Sequence, residues 1–324
     1  MGNTQMTLAP GASAGVTATP GSMMPDNPEA AHMMEPITAP DIQPASETEG
    51  GQPLAFRDEN GVKVFELTTK AVQWPILDGV TVTAFTYNGT VPGPMIRVTE
   101  GDQVRIVVKN ELPDPTTIHW HGVEVPNAMD GVPGVTQDPI QPGETFTYEF
   151  IAKPAGTFMY HSHFEGDVQV SAGLYAPFII DPKEPEANPP AVDAPLMISE
   201  WRMTDGQTFA AMPMGGMEPN FFTINGKSFP ATETITVKKG DLVRLRLISI
   251  GQFIRVNNEW RVKARAHLHI ALEMRMIHEC PRWLGNEFIG KRLAMLDRIL
   301  CDSGHTVHHV WDFDSMPVDC GRIR

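Results

Sequence analysis

The sequence predicts an all-β protein made of two related β-sandwich domains, and three observations carry that prediction. Its 324 residues include 28 Gly and 29 Pro, which punctuate the chain too often for a helical bundle. The apolar runs between these turn residues are short, and long helical stretches are scarce before residue 254. The chain also repeats itself. Ile96–Arg105 (IRVTEGDQVR) aligns with Ile235–Arg244 (ITVKKGDLVR), Asp102 against Asp241, an offset of 139 residues. Asn88-Gly89 recurs as Asn225-Gly226 at nearly the same spacing, so two related β domains are implied.

A chain of this length can bury two cores. Residues 1–53 show little hydrophobic periodicity and many prolines, and read as a disordered lead. Strand-like segments follow at Val62–Leu67, Val80–Tyr87, Met95–Val98, Val104–Asn110 and Phe146–Ile151, with Asn88-Gly89 as a hairpin-turn pair. The first domain is expected to span 54–182. The Pro/Ala/Glu-rich stretch 183–194 reads as a linker, and the second domain begins at 195.

The repeat ends near Phe253. Residues 254–324 hold two of the 29 Pro, all three Cys and six of the 11 His. They carry 11 Lys plus Arg against nine Asp plus Glu, a net +2, whereas residues 1–253 carry 14 against 30, a net −16. The counterpart of His119 would fall at position 258, yet Asn257-Asn258-Glu259-Trp260 supplies no pair of metal ligands. Two readings stand. Either residues from about 254 derive from a shifted reading frame or chimeric assembly, or they are a divergent, partly helical C-terminus. Apolar spacings from His267 to Leu300 are ones a helix could use. The second domain, 195–253, is therefore expected to be incomplete or aberrant.

The net charge of −14 argues against a nucleic-acid partner, which needs clustered Lys and Arg. No run approaches the ~20 apolar residues of a membrane helix. The start of the chain lacks the basic and apolar regions of a secretion signal. Cys280, Cys301 and Cys320 all lie near the C-terminus, so no disulfide framework holds the main body.

The strongest chemical signal is His119-Trp120-His121-Gly122, followed 40 residues after His121 by His161-Ser162-His163. Side chains i and i+2 of a strand share a face, so two such pairs can converge four imidazoles on one site. Imidazole suits copper, zinc, iron and nickel alike. The bland alternative, buried histidines hydrogen-bonded in a core, suits one pair better than two.

The flanking segments narrow the choice. Thr117–Gly122 (TIHWHG), Met129–Pro133 (MDGVP), Gln141–Glu144 (QPGE), Gly156–His163 (GTFMYHSH) and Gly173–Ile180 (GLYAPFII) together resemble the multicopper oxidases. The resemblance is strong over residues 80–182 and weaker to Phe253. It implies two cupredoxin-like Greek-key β-sandwich domains. It further implies that His119 is a ligand of a type 2 copper, and that His121, His161 and His163 serve a coupled type 3 pair. In that family the four histidines of this domain are half the ligands of a trinuclear copper cluster that reduces dioxygen to water. By the same resemblance, Asp130 is assigned to proton supply, with dioxygen and a small reducing substrate as reactants.

Other residues carry two readings each. Gly122 either lets backbone pass close to the metal or is a turn residue. Glu165 and Asp167 either tune the cluster or sit on a solvated loop. Met212-Pro213-Met214-Gly215-Gly216-Met217 could bind copper(I) or be a flexible loop, as could Met23, Met24, His32, Met33 and Met34 in the lead. His267, His269, His305, His308 and His309 match no expected motif and suggest adventitious binding.

One part of the family pattern is missing. Type 1 copper takes two His and one Cys, often with an axial Met, but Ser162 occupies the slot between His161 and His163. The type 1 site is expected in the second domain, where its ligands are not recognisable. Cys301 lies 139 residues after Ser162, but Leu300 and Asp302 flank it. The layout resembles two-domain multicopper oxidases, which complete their clusters between subunits of a trimer, and the family points to a periplasmic or secreted location. A catalytically silent copper-binding or copper-resistance protein is the rival reading. A copper nitrite reductase is a third, set against by the absence of a Cys in domain one.

Overall fold

The computed structural model describes residues 35–211, 218–238 and 241–251, together with the backbone of 269–275, 299–301 and 306–307. Strands dominate these residues, as the turn density predicts. One sheet holds β1 (Gln43–Pro44), β2 (Arg57–Glu59), β3 (Val62–Leu77), β4 (Val80–Tyr87), β6 (Gln103–Asn110) and β8 (Thr145–Ile151). The facing sheet runs in the order β5 (Ile96–Thr99), β10 (Tyr175–Asp181), β9 (Gly156–His161), β7 (His119–His121).

β6 shows the expected inside–outside alternation, burying Val104, Ile106, Val108 and Asn110 as a half-covered strand should. Val104, Ile106 and Val108 pack with Phe65, Leu67, Trp120, Tyr148, Phe150, Tyr160, Phe178 and Ile180 into the core between the two sheets. β3 is longer than its apolar pattern predicts. Its first part pairs in parallel with β6, and from Thr69 onward it pairs antiparallel with β4. That second part supplies Val72, Trp74 and Ile76 to a separate apolar seam with Met197, Trp201 and Ile248. Trp74 Nε1 also donates to the Gly226 carbonyl at 2.7 Å, so the long strand binds the first sandwich to the strands that follow it.

Residues 35–53 do not behave as the disordered lead that composition suggests. Ile37 is buried and its N–H donates to Thr208 O at 2.7 Å, while Ala45 N–H donates to Gln73 O at 3.0 Å beside the β1–β3 pairing. These are backbone bonds, which a proline-rich extended segment can make without any side-chain periodicity. Residues 1–34, with Met23, Met24, His32, Met33 and Met34, lie outside the described residues.

The second set of strands comprises β11 (Val192–Thr204), β12 (Gln207–Phe209), β13 (Phe221–Ile224), β14 (Ile235–Val237), β15 (Leu242–Ser249), β16 (His269–Arg275), β17 (Ile299–Cys301) and β18 (Thr306–Val307). The repeat extends to its hydrogen bonds. Thr99 N–H donates to Asp102 Oδ2 at 2.7 Å and Lys238 N–H to Asp241 Oδ2 at 2.8 Å. Asn88 and Asn225 both adopt positive φ, 55° and 48°. Each accepts a backbone N–H on its side-chain oxygen, from Thr68 at 2.7 Å and Met197 at 2.8 Å.

The symmetry then breaks where the sequence changes character. β8 runs antiparallel to β6, but β16 runs parallel to β15, with Leu242 opposite His269. The second unit is thus aberrant in direction as well as in sequence. The helix that spacing allows across 267–300 is not formed at 269–275, because Ile270, Leu272 and Met274 alternate with a period of two, which suits a strand. Val192–Ala194, at the end of the expected linker, already belong to β11. There Asp193 accepts from Arg246 Nε at 2.6 Å and Arg97 Nη2 at 3.0 Å. Residues 212–217, with the methionine-rich loop, lie outside the described residues, as do His267, His305, His308, His309, Cys280 and Cys320.

Candidate metal centre

β7 presents the first histidine pair. Trp120 turns inward between them and is fully buried, its ring 5.2 Å from Tyr148, 5.2 Å from Phe150, 5.7 Å from Tyr160 and 5.9 Å from Phe178. The alternation of the strand therefore sends His119 and His121 to the opposite face. β9 lies antiparallel to β7 with His161 directly across from His119. His163 follows two residues beyond the strand end.

The four rings form one group. His119 lies 5.4 Å from His121, 5.4 Å from His161 and 5.3 Å from His163, centroid to centroid. Ring nitrogens of His119, His121 and His161 fall within 4.8 Å of one another. His163 stands outside that tighter set, exposed, with its ring 6.3 Å from His161.

The outer nitrogens of two rings are held by carbonyls. His119 Nδ1 lies 2.7 Å from the Asp130 carbonyl oxygen, and His161 Nδ1 lies 2.7 Å from that of Ser162. A carbonyl only accepts, so each Nδ1 carries the proton and each Nε2 keeps its lone pair. His121 Nδ1 then approaches His161 Nε2 at 3.1 Å. Imidazole nitrogens bind a first-row ion at about 2.0 Å, so two lone pairs at this separation can meet on one ion. The donor set fits a metal that accepts neutral nitrogen ligands.

Burial pushes the His161 imidazolium down to about 3, opposed by its bond to the Ser162 carbonyl and helped by the neighbouring His119, His121 and His163. The ring is neutral at ordinary pH and needs no deprotonation before binding an ion. Its folded value lies below the unfolded value of about 6.5, so the unfolded chain binds more protons on acidification. The stability this group contributes is therefore complete above about pH 6.5 and is lost as pH falls towards 3. Urea denaturation of the metal-free protein should show a steeper loss between pH 7 and 4.5 in the parent than in His161→Gln. Equal slopes would refute this assignment.

Asp130 caps the short 3-10 turn Asn127–Met129, and its carboxylate Oδ1 lies 3.4 Å from His119 Nδ1. Gly122 is exposed with φ +81°, in a turn closed by Val123 N–H to Trp120 O at 3.0 Å. That geometry supports the turn reading. Glu165 and Asp167 are exposed at the start of the short helix α1 (Gly166–Gln169).

Ser162 is fully buried and points away from the rings into a hydrogen-bonded cluster. Its hydroxyl donates to Gln169 Oε1 at 2.6 Å and accepts from Phe164 N–H at 3.1 Å. Gln169, Thr116 and Gly131 support the site, yet no metal-ligand spacing singles them out. Gly131 alone had a signal, the Asp-Gly pair, which also marks countless ordinary turns.

A histidine group on the outer face of a two-sheet sandwich, carried by the edge strand β7 and its neighbour β9, defines a cupredoxin-type fold with a candidate metal site. Residues 68–185 match the family model described as multicopper oxidase. A copper resistance protein A homolog of Pseudomonas syringae pv. tomato is 43% identical over 141 residues, 44% of this chain and 23% of that protein. Multicopper oxidase MmcO of Mycobacterium tuberculosis is 34% identical over 209 residues, 53% of this chain and 40% of that protein. The blue copper oxidase of Nitrosomonas europaea superposes with a TM-score of 0.53 at 40% identity, over 58% of this chain and 61% of that one. A further multicopper oxidase structure gives 0.51 at 32% identity, over 63% of this chain and 68% of that one. The chain belongs to the multicopper oxidase family. Its match spans less than a quarter of the length of the copper resistance relative.

Proposed function

We propose that this chain is a laccase-like copper oxidoreductase in which His119, His121, His161 and His163 provide half the ligands of a trinuclear copper cluster. The observation that carries the reading is the convergence of three imidazole nitrogens within 4.8 Å, two of those rings having their outer nitrogens held by carbonyls. Geometry alone admits several metals, and membership of the family selects copper. Copper bound there would couple one-electron oxidation of phenols, aromatic amines or metal ions to the four-electron reduction of dioxygen to water.

Within that site His119 takes the type 2 position, and His121, His161 and His163 take the type 3 positions. The Asp130 carbonyl orients His119, and its carboxylate is assigned to proton supply. The first domain spans 54–182 and has no type 1 copper, because Ser162 offers no thiolate. That copper, whose ligands are not identified, belongs to the second domain, which begins at 195. Exposed His163 marks the side on which a neighbouring subunit would complete the cluster in a trimer, in a periplasmic or secreted setting.

The second reading, a catalytically silent copper-binding or copper-resistance protein, is favoured by the lack of a recognisable type 1 copper motif in the sequence and by relatives named copper resistance protein A. A blue absorption band on copper loading separates the two, since only type 1 copper produces it. A nitrite reductase requires a Cys at position 162.

The ligand assignment is tested by copper titration of His121→Ala and His163→Ala. Each is expected to lower affinity beyond the roughly 10–100-fold that follows loss of a group merely supporting a ligand. Unchanged tight binding in both variants would falsify it.

A further inference from the structure

We propose that Gln169 is a positioning residue that sets the spacing between the two histidine pairs. The proposal rests on the copper reading above, and part of its test does not depend on copper. Gln169 ends α1 and is 1% exposed, and its side-chain hydrogen bonds go to Ser162, Thr116 and Pro115 and not to an imidazole. Its Oε1 accepts from Ser162 Oγ at 2.6 Å and from Thr116 Oγ1 at 2.8 Å, and its Nε2 donates to Pro115 O at 2.8 Å.

Those three partners belong to the two segments that present the metal-facing rings. Ser162 lies between His161 and His163, while Pro115 and Thr116 lead through Ile118 into His119. One amide therefore ties both ligand pairs together at a fixed separation. Its orientation is determined by chemistry: Oε1 uses its two lone pairs on two hydroxyl donors, and Nε2 faces a carbonyl. Exchanging oxygen and nitrogen would set the amide oxygen against the Pro115 oxygen.

The constraint reaches a ligand through Ser162. Its hydroxyl accepts Phe164 N–H at 3.1 Å, which holds the loop beyond His163, and its carbonyl accepts His161 Nδ1 at 2.7 Å. The backbone closes the same unit, with Ser162 N–H donating to Leu174 O at 3.0 Å and Leu174 N–H to Gln169 O at 3.1 Å. Fully paired polar groups in a dry interior specify one arrangement, and an incomplete set is costly. A ligand shell held loosely by its supports loses affinity even when all ligands remain.

The test compares full-length Gln169→Leu, Gln169→Glu and Ser162→Ala with the parent. Imidazole 1H–15N spectra are recorded on the metal-free proteins, and Cu(II) affinity and electron paramagnetic resonance on the loaded ones. Gln169→Leu is expected to keep its circular dichroism, to shift the His161 ring signals, and to bind copper about 10–100-fold more weakly with altered hyperfine splitting. Gln169→Glu retains both hydroxyl contacts and loses the donation to Pro115, so it should fall between parent and Leu. Native ring signals with parental copper affinity and spectrum in both Gln169→Leu and Ser162→Ala would overturn the proposal. If the parent binds no copper, the proposed function falls, while the metal-free ring spectra still decide the positioning role. If Gln169→Leu does not fold, Ser162→Ala decides it, since that change removes only the hydroxyl link.

Discussion

Gly131→Ala is expected to lower stability by about 3 kcal/mol or more and to weaken metal binding in the protein that still folds. Gly131 has φ +79°, a left-handed conformation that costs an L-residue roughly 1–2 kcal/mol. A Cβ there would also overlap the Ile118 carbonyl, which is backbone and cannot rotate away. The segment must shift, and with it the neighbouring Asp130 carbonyl that holds His119 Nδ1. Gly134 supplies the control. It lies in the same loop with φ +70° but has nothing within 4 Å of its would-be Cβ, so Gly134→Ala should cost only about 1 kcal/mol and leave copper affinity intact. Urea denaturation midpoints and copper titration of the two variants check this. Equal costs would show that backbone conformation, and not the contact with Ile118, is what requires glycine at 131.

Much of this arrangement was legible in the sequence where local pattern and tertiary role coincide. Val104, Ile106 and Val108 alternate because one face of β6 is buried, so the strand is readable within a residue of its ends. The same period places His119 and His121 together on the face opposite Trp120. The pattern fails where long-range contacts decide. β3 continues past Leu67 through Thr68 and Thr69, which look like a strand end; but Thr69 is buried and donates to Asn110 Oδ1 at 2.7 Å, and the strand exchanges one partner and one core for another. Residues 35–53 pair through backbone bonds that leave no mark in composition. Gln169 acquires its role from partners seven and 53 residues away, a relation that no local spacing encodes. Beyond Phe253 neither the strand positions nor the parallel β15–β16 pairing follows from the repeat.

Trp120→Ala is expected to cost about 3–5 kcal/mol, the usual range for truncating a buried aromatic, and to abolish high-affinity copper binding without touching a ligand. Trp120 is fully buried among four aromatic rings. β7, with only three residues, is held to β9 by three cross-strand pairs. Its register therefore depends on this anchor, because a slip of one residue would turn both histidines inward and Trp120 outward. Trp120 Nε1 has no hydrogen-bond partner among the described residues, so the indole acts here through its volume and not its N–H. Trp120→Phe should consequently cost well under half as much as Ala and keep copper affinity near parental. The pair is compared by thermal denaturation and copper titration. A Phe variant as damaged as the Ala variant would mean that the N–H, or the full indole outline, is what holds the histidine strand in place.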